Sequence, residues 1–271
     1  MGTREGPERP AAGAAPGEDV LAGRRAVVEA LRAGRPLRKV LVSRGAHGDA
    51  VREIIHEARR RGITVQFVEP RHLHGGSEAQ GVLGLAAVRP MVEVDDILAA
   101  AARRGEPPFI LVLDSVEDPA NLGALIRTAD GAGVHGVIIP RHRAAGLTSA
   151  VARASAGAVE HVSVAVVTNL VRALEDLKRS GLWVVGTGMG AAQLYHEARL
   201  LPPLAVVMGG EGRGLSRLVS EHCDLLVRLP MRGHIESLNV SVAAGILLYD
   251  IVRQIAGTSA GNPGPPWAHR E

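Results

Sequence analysis

The sequence predicts an α/β protein: a doubly wound parallel sheet in the larger, C-terminal part, preceded by a small α/β domain. Three observations lead there. Short runs of Val, Ile and Leu alternate with amphipathic helical stretches through most of the chain. The run FILVLD (109–114) is apolar nearly throughout, as expected of a strand covered on both faces. Several later runs end in glycine-bearing polar loops, and open parallel sheets hold ligands beyond the carboxyl ends of their strands.

Length and composition narrow the possibilities. A chain of 271 residues supplies ample core for one large domain or two modest ones. The single cysteine, Cys223, excludes an internal disulfide framework and fits a reducing cytoplasm. No apolar run reads as long enough to span a bilayer, and no hydrophobic block follows the charged N-terminus as a signal peptide requires. Net charge is +3, and 29 of the 31 basic residues are arginine. That bias suits bidentate phosphate contacts, and a GC-rich genome produces it equally. An aromatic content of 2% argues against a stacking platform for single strands.

Residues 1–17 are rich in Gly, Pro and Ala without periodicity and read as a disordered lead-in; 257–271 reads as a similar tail. Between them, 18–90 alternates. GRRAVVEALRAG is an amphipathic helix ending at Gly34, and RKVLVS is a strand. DAVREIIHEARRRG is a helix with Ile54, Ile55 and Ala58 inward. ITVQFV and VLGLAAV are further strands, separated by a polar break. From Glu18 to Arg89 there are 13 basic and 8 acidic residues, with Arg24, Arg25, Arg32, Arg35, Arg38, Lys39 and Arg44 crowding the first half. Such a surplus is either a solvated face or an RNA-phosphate patch.

Residues 91–107 are a linker plus helix. The second domain, 108–256, has strands at FILVLD, GVIIP, HVSVAVV, LWVVGTG, PLAVVMG and LLVRLP, which makes six with helices between. The stretch Leu229–Gln254 closes it. A polar loop (Arg232, Gly233, His234, Glu236, Ser237) runs into a helix that is apolar on almost every side, from Leu238 to Val252. A helix without a wide polar face belongs in a core or against another subunit. Ser237 is placed to cap it, turning its partly positive end toward the polar loop.

Three segments offer chemistry. In DPANLGALIRTADGAG (118–133), Asp118 and Pro119 start a helix. Asn121 and Arg127 lie six residues apart, so they share a face only if Asn121 belongs to the entry loop. GTGMGA (186–191) formally fits a dinucleotide turn, but only two strands follow it, whereas that turn belongs on a first strand. MGGEGRGLS (208–216) brings four glycines after a strand and lacks the Lys-Ser/Thr pair of a nucleotide-triphosphate loop. A cradle of backbone groups with little fixed charge suits a neutral-to-cationic adenosyl ligand. The histidines are scattered and Cys223 stands alone, so no metal is expected.

The order Asn121-Leu-Gly…Arg127, Gly209-Gly-Glu211-Gly-Arg-Gly214-Leu-Ser, Leu229-Pro-Met…Glu236-Ser237-Leu-Asn239-Val-Ser-Val resembles the three motifs of the SPOUT superfamily, TrmH type. These are S-adenosyl-L-methionine-dependent RNA ribose 2′-O-methyltransferases. The N-terminal part, with GRRAVVEALRAG and AQGVLGLA, is similar to the substrate-binding domain of the RlmB branch, which methylates a guanosine in the peptidyl-transferase loop of 23S rRNA. Ala79 stands where that branch usually has histidine.

The resemblance implies a C-terminal trefoil knot, a homodimer through the knot helix, and 23S rRNA or a pre-ribosomal particle as partner, without membrane or metal. It implies catalytic roles for Arg127, Asn121, Glu211, Ser237 and Asn239. It places Gly209, Gly210, Leu229, Met231, Leu238 and Thr187 at the methyl donor. Arginine is effectively always protonated, so Arg127 is physically better as an orienting and charge-stabilising group than as a base. The same chemistry on tRNA, or on another rRNA nucleotide including an antibiotic-resistance site, is the alternative. A catalytically silent RNA-binding protein on this scaffold is a third reading, against which the intact motif residues argue.

Overall fold

Val20 and Leu21 lie in a strand that the periodicity did not supply: β1 (Glu18–Ala22) pairs antiparallel with β4 (Val82–Ala87). The computed structural model describes residues 18–73, 79–87 and 92–258. The expectations for 1–17 and for 259–271 lie outside the described residues. The described residues fall into two units, one of those between 18 and 87 with 147–161, the other of 92–146 and 162–258.

In the first unit, α1 (Arg24–Arg32) and α2 (Asp49–Arg60) flank β2 (Leu37–Ser43) and β3 (Thr64–Val68) in sequence. The sheet order is β1-β4-β2-β3, with β2 and β3 parallel and β4 antiparallel to β2. The α2 stripe is Val51, Ile54 and Ala58, while Ile55, expected inward, is half-buried. This unit includes a segment that the sequence assigns to the later domain. Helix α5 (Ser149–Ala154) and the turn Ala158–Glu160 pack on β1 and α1. The Arg35 guanidinium and the Glu160 carboxylate, 2.6 Å apart and both buried, tie that segment down. The boundary expected at residue 90 is therefore crossed again by 147–161.

The expected polar face of the first unit is also largely engaged. Arg24 donates to the Gln80 carbonyl, Arg32 pairs with Glu29 and Glu53, Arg44 with Glu69, and Lys39 donates to Gln66. Arg60 and Arg61 both hold Glu57.

The second unit begins with α3 (Val94–Arg104), in the stretch expected to hold a linker and a helix. Then come β5 (Phe109–Asp114), α4 (Pro119–Gly131), β6 (Gly136–Pro140), β7 (Ser163–Val167), α6 (Leu170–Arg179) and β8 (Trp183–Thr187). After β9 (Gln193–Leu194), the chain forms β10 (Leu204–Gly209), α7 (Arg217–Glu221), β11 (Leu225–Arg228) and α8 (Val240–Thr258). The all-parallel sheet runs β7-β6-β5-β10-β8-β11-β9. It has the six strands read from the sequence plus the two-residue β9 at one edge. From β5 the chain winds one way and from β10, its neighbour, the other. Their carboxyl ends form the topological switch where such sheets bind ligands.

Helix α8 extends through Gly257 and Thr258, two residues beyond the expected end of the domain. Its cap is Asn239, whose Oδ1 accepts from the Ser241 amide, and not Ser237, which lies two residues too early. Val240, Ala244, Leu247, Leu248 and Ile251 are buried, but Val242, Ile246 and Tyr249 are exposed, so within this chain the helix has one covered face. It packs on α4. The Tyr249 hydroxyl lies over Gly131 of α4, where an added Cβ would come within 2.9 Å and turn the exposed tyrosine aside. Farther along, the Gln254 side chain accepts from the Leu200 amide and donates to the Ala198 carbonyl, a strand-like clamp. By length and composition α8 is apolar enough to cross a membrane, contrary to the sequence estimate. One face packs on α4, and near its end the helix carries the Asp250–Arg253 pair.

Candidate functional site

The carboxyl ends of β8, β10 and β11 open into one cavity of about 920 Å³, within the usual size range of ligand pockets. All six residues expected at the methyl donor line it: Thr187, Gly209, Gly210, Leu229, Met231 and Leu238. So do Glu211, Ser237 and Asn239, together with Val227, Arg213, Arg228 and Glu236.

The glycines of this wall have a reason that the sequence did not reveal. A Cβ on Gly209 would fall 2.1 Å from the Gly214 carbonyl carbon, and one on Gly210 would fall 2.1 Å from the Ser115 carbonyl oxygen. Both are needed because backbone lies against them, the loop's own turn at Gly209 and the loop after β5 at Gly210, before any ligand is considered. Gly186, behind them, would place a Cβ 2.7 Å from Cys223 Sγ. Burial pushes the Cys223 thiol up to about 11, with Lys178 opposing, so it remains a protonated thiol at neutral pH.

Asp114, at the end of β5, holds the glycine loop shut. Its carbonyl accepts from the Gly210 amide at 2.7 Å, and its Oδ2 accepts from the Ser216 amide at 2.7 Å. Sequence reasoning passed over it, although a lone acid ending an apolar strand was the available signal. Within the loop the Gly214 amide donates to the Gly210 carbonyl at 3.0 Å, and Gly212 and Gly214 have φ of +79° and +64°. That conformation favours glycine and throws Glu211 and Arg213 outward from a tight turn.

Glu211, Asn239 and Asn121 come together. Asn239 Nδ2 donates to Asn121 Oδ1 at 2.9 Å and to Glu211 Oε1 at 2.6 Å. The other end of the same amide, Oδ1, accepts from the Ser241 amide at 2.9 Å and from its hydroxyl at 2.5 Å. Asn239 is thus a helix cap and a site residue at once. Asn121 sits in the first turn of α4 and is 8% exposed. Because it lies in the helix and not in the entry loop, it does not meet Arg127. Arg127 is exposed and makes no hydrogen bond or ion pair among the described residues. Ser237 is exposed on the loop. The structure therefore gathers three of the five expected catalytic residues into one hydrogen-bonded cluster and leaves two at the surface.

The fit to an adenosyl ligand is physical. The walls combine glycine backbone with Leu229, Leu238 and Val227, and among the described residues no lysine lines them. The fixed charges that line the cavity balance, Glu211 and Glu236 against Arg213 and Arg228. The segment 186–191 does line the cavity through Thr187–Gly190, but it leads into the two-residue β9 and a 3-10 turn. It does not open the long helix that a dinucleotide turn needs. Among the described residues no three His, Cys, Asp or Glu side chains gather as a metal site would require.

Comparison with known proteins agrees with this geometry. The SpoU rRNA Methylase family matches residues 108–249, and the family described as RNA 2′-O ribose methyltransferase substrate binding matches 20–89. The TrmH family tRNA/rRNA methyltransferase YacO of Bacillus subtilis is 45% identical over 87% of this chain and 96% of its own. Among solved structures, the SpoU methyltransferase AviRb from Streptomyces viridochromogenes, in complex with AdoMet, superposes with a TM-score of 0.76 at 26% identity, covering 89% of this chain and 92% of that one. An AdoMet-bound rRNA methyltransferase from Sinorhizobium meliloti gives 0.71 at 25%, covering 88% of both. A TrmH/SpoU tRNA modifying enzyme from A. aeolicus gives 0.51 at 28%, covering only 56% of this chain and 77% of its own.

Proposed function

Because the chain belongs to the SpoU/TrmH family of S-adenosylmethionine-dependent RNA methyltransferases, we propose that it methylates a ribose 2′-hydroxyl of 23S rRNA, a guanosine of the peptidyl-transferase loop. The observation that carries the reading is the Glu211–Asn239–Asn121 cluster at the edge of a glycine-walled adenosyl pocket. Ribosomal RNA is favoured over tRNA by coverage. The protein named as an rRNA methyltransferase spans both units, and the tRNA-modifying enzyme aligns with little more than half the chain. The relative named for tRNA and rRNA together keeps tRNA as the second reading.

When bound, the donor supplies an already activated sulfonium methyl. The chain's own task is alignment and charge. Gly209, Gly210, Leu229, Met231, Leu238 and Thr187 hold the donor, largely through backbone and aliphatic contacts. Glu211, Asn239 and Asn121 fix the acceptor side, and Ser237 lines the way in. Arg127, unpaired on the protein, takes the ribose phosphate and stabilises negative charge on the attacking oxygen.

A trefoil knot in this domain, a rare departure from unknotted chains, belongs to the same proposal. The exposed stripe Val242, Ile246 and Tyr249 fits a homodimer through α8, with the cytoplasm as the location. Ile246→Asp is expected to yield a folded monomer by sedimentation. Leu247→Asp, fully buried, is expected to unfold the chain at a cost of about 3–5 kcal/mol. A wild-type chain that sediments as a monomer contradicts the dimer.

The substrate is tested by mapping 2′-O-methylated positions in RNA from cells with and without this gene. Loss of one methylated guanosine in the peptidyl-transferase loop is expected. Loss at a tRNA position instead selects the second reading.

A further inference from the structure

Two of the groups around Asn239 have no freedom about their hydrogen-bonding sense. The Ser241 backbone amide only donates, so the Asn239 atom facing it is the oxygen. The Glu211 carboxylate accepts, so the atom 2.6 Å away is the Asn239 nitrogen. The amide orientation, usually a matter of assignment, is here imposed from both ends. The Ser241 hydroxyl, at 2.5 Å from the same oxygen, reinforces it.

That polarity passes on. Asn239 Nδ2 donates to Asn121 at 2.9 Å, so Asn121 presents its oxygen inward and has its own nitrogen left over. Asn121 is 8% exposed, and its Nδ2 has no acceptor among the described residues. A buried donor without an acceptor is costly, and an acceptor supplied by a bound ligand is one of the few ways a native protein accounts for it.

Resting on the methyltransferase reading above, we propose that Asn121 Nδ2 is a catalytic donor to an electron-rich oxygen of the bound ribose-phosphate, and that the Ser241 hydroxyl is a positioning group that reinforces the sense already imposed on Asn239 by Glu211 and the Ser241 amide. In the transfer, a bond forms between the ribose 2′-oxygen and the methyl carbon. The sulfur–carbon bond breaks with its pair left on sulfur, and the hydroxyl proton goes to water. An N–H aimed at that oxygen stabilises the charge it gathers as the proton leaves. A chain ending in a donor cannot take the proton itself.

The deciding variant is Asn121→Asp. It keeps the acceptor that Asn239 needs and replaces the outward donor by an acceptor. Methyl incorporation is measured into total RNA from cells lacking the gene, so the result does not depend on which nucleotide is the target. Turnover at pH 8 is expected to fall about 100-fold, the usual scale for one lost oxyanion donor, with donor affinity by calorimetry near wild type; the buried carboxylate lowers the melting temperature, so the assay is run well below it. Activity is expected to recover as pH falls, because the introduced carboxyl donates again once protonated. A loss confined to kcat identifies the 2′-oxygen as the acceptor, and a loss in KM for RNA identifies a phosphate oxygen.

In wild type, the Asn121 side-chain amide resonance is expected to move on RNA binding. Ser241→Ala keeps the fold and is expected to lose about five-fold in kcat, one hydrogen bond's worth, with Ser241→Thr restoring it. A folded Asn121→Asp protein turning over at wild-type rate at pH 8 overturns the proposal. If that variant does not fold, unchanged kcat in Ser241→Ala together with an unmoved Asn121 resonance overturns it. Wild-type chain that transfers no methyl to any RNA refutes the functional reading instead.

Discussion

The arginines of the first unit and those around the cleft of the second are alike in sequence and opposite in use. In the first unit Arg32, Arg44, Arg60 and Arg61 each face a carboxylate, and Arg35 is buried against Glu160. In the second, Arg127 and Arg213 stand exposed without a carboxylate partner among the described residues. A count of 13 basic residues pointed at the first unit as the phosphate-binding surface. The pairing shows that much of that charge is already answered within the protein. What matters for a polyanion is unpaired charge, and an arginine free on the surface outweighs several in ion pairs.

The sharpest way to break this contrast is Arg127→Ala. Methyl transfer is expected to drop by about 1,000-fold or more, while donor affinity by calorimetry stays within a factor of two or so, because other loops build that pocket. Arg127→Lys keeps the charge and loses the planar fork, and is expected to remain strongly impaired. Near-wild-type turnover, or loss of donor binding alongside activity, would refute the role given to Arg127.

Arg35→Ala tests the other side. Glu160 would lose a buried partner 2.6 Å away, so thermal denaturation should register a clearly larger loss of stability than for exposed Arg32→Ala, which should cost at most about 1 kcal/mol. Equal, small effects for both would mean that the Arg35 pair is no more than a surface contact.

The smallest effect is a titration. Hydrogen bonds from Arg60 and then Arg61 hold the Glu57 carboxyl down at about 2, against an ordinary value of 4.5. A depressed carboxyl stabilises the folded state above pH 4.5, and the contribution disappears as pH falls through about 2. Carbon-13 NMR of Glu57 should therefore show an acid midpoint far below that of a free glutamate, returning toward 4.5 in Arg60→Ala/Arg61→Ala. An unshifted midpoint in wild type would mean that these arginines are free for other partners.

Much of the second unit was legible because its signals are local. FILVLD, GVIIP and PLAVVMG have no polar face, and a strand without one has only a covered parallel sheet to occupy. The positions of the motif loops followed from the strands. The misses were long-range. Strand β1 has only Val20, Leu21 and Ala22 to announce it and exists because β4 pairs with it across sixty residues. Segment 147–161 reads as an ordinary crossover, and its packing on β1 and α1, with Arg35 meeting Glu160, assigns it to the first unit. At the site, the union of Asn121 with Asn239 joins residues 118 positions apart, and no spacing rule announces it. Asp114 and Ser241 were missed for a related reason: their value lies in what they hold, and an isolated acid or serine gives no sign of that.

The glycine pair also divides the cleft by how far it can evolve. Any side chain at Gly209 or Gly210 collides with backbone at 2.1 Å, and Gly186 is closed off by Cys223, Leu215 and Leu226. That half of the wall offers selection nothing to vary. Across the cavity, a Cβ added at Gly188, Gly190 or Gly233 would meet nothing within 4 Å, and Met189 and Ile235 stand largely in solvent. New selectivity, whether by natural drift or by a designer, must enter through 188–190 and 231–236. An inhibitor contacting only the Gly209–Gly210 side would leave few escape mutations open.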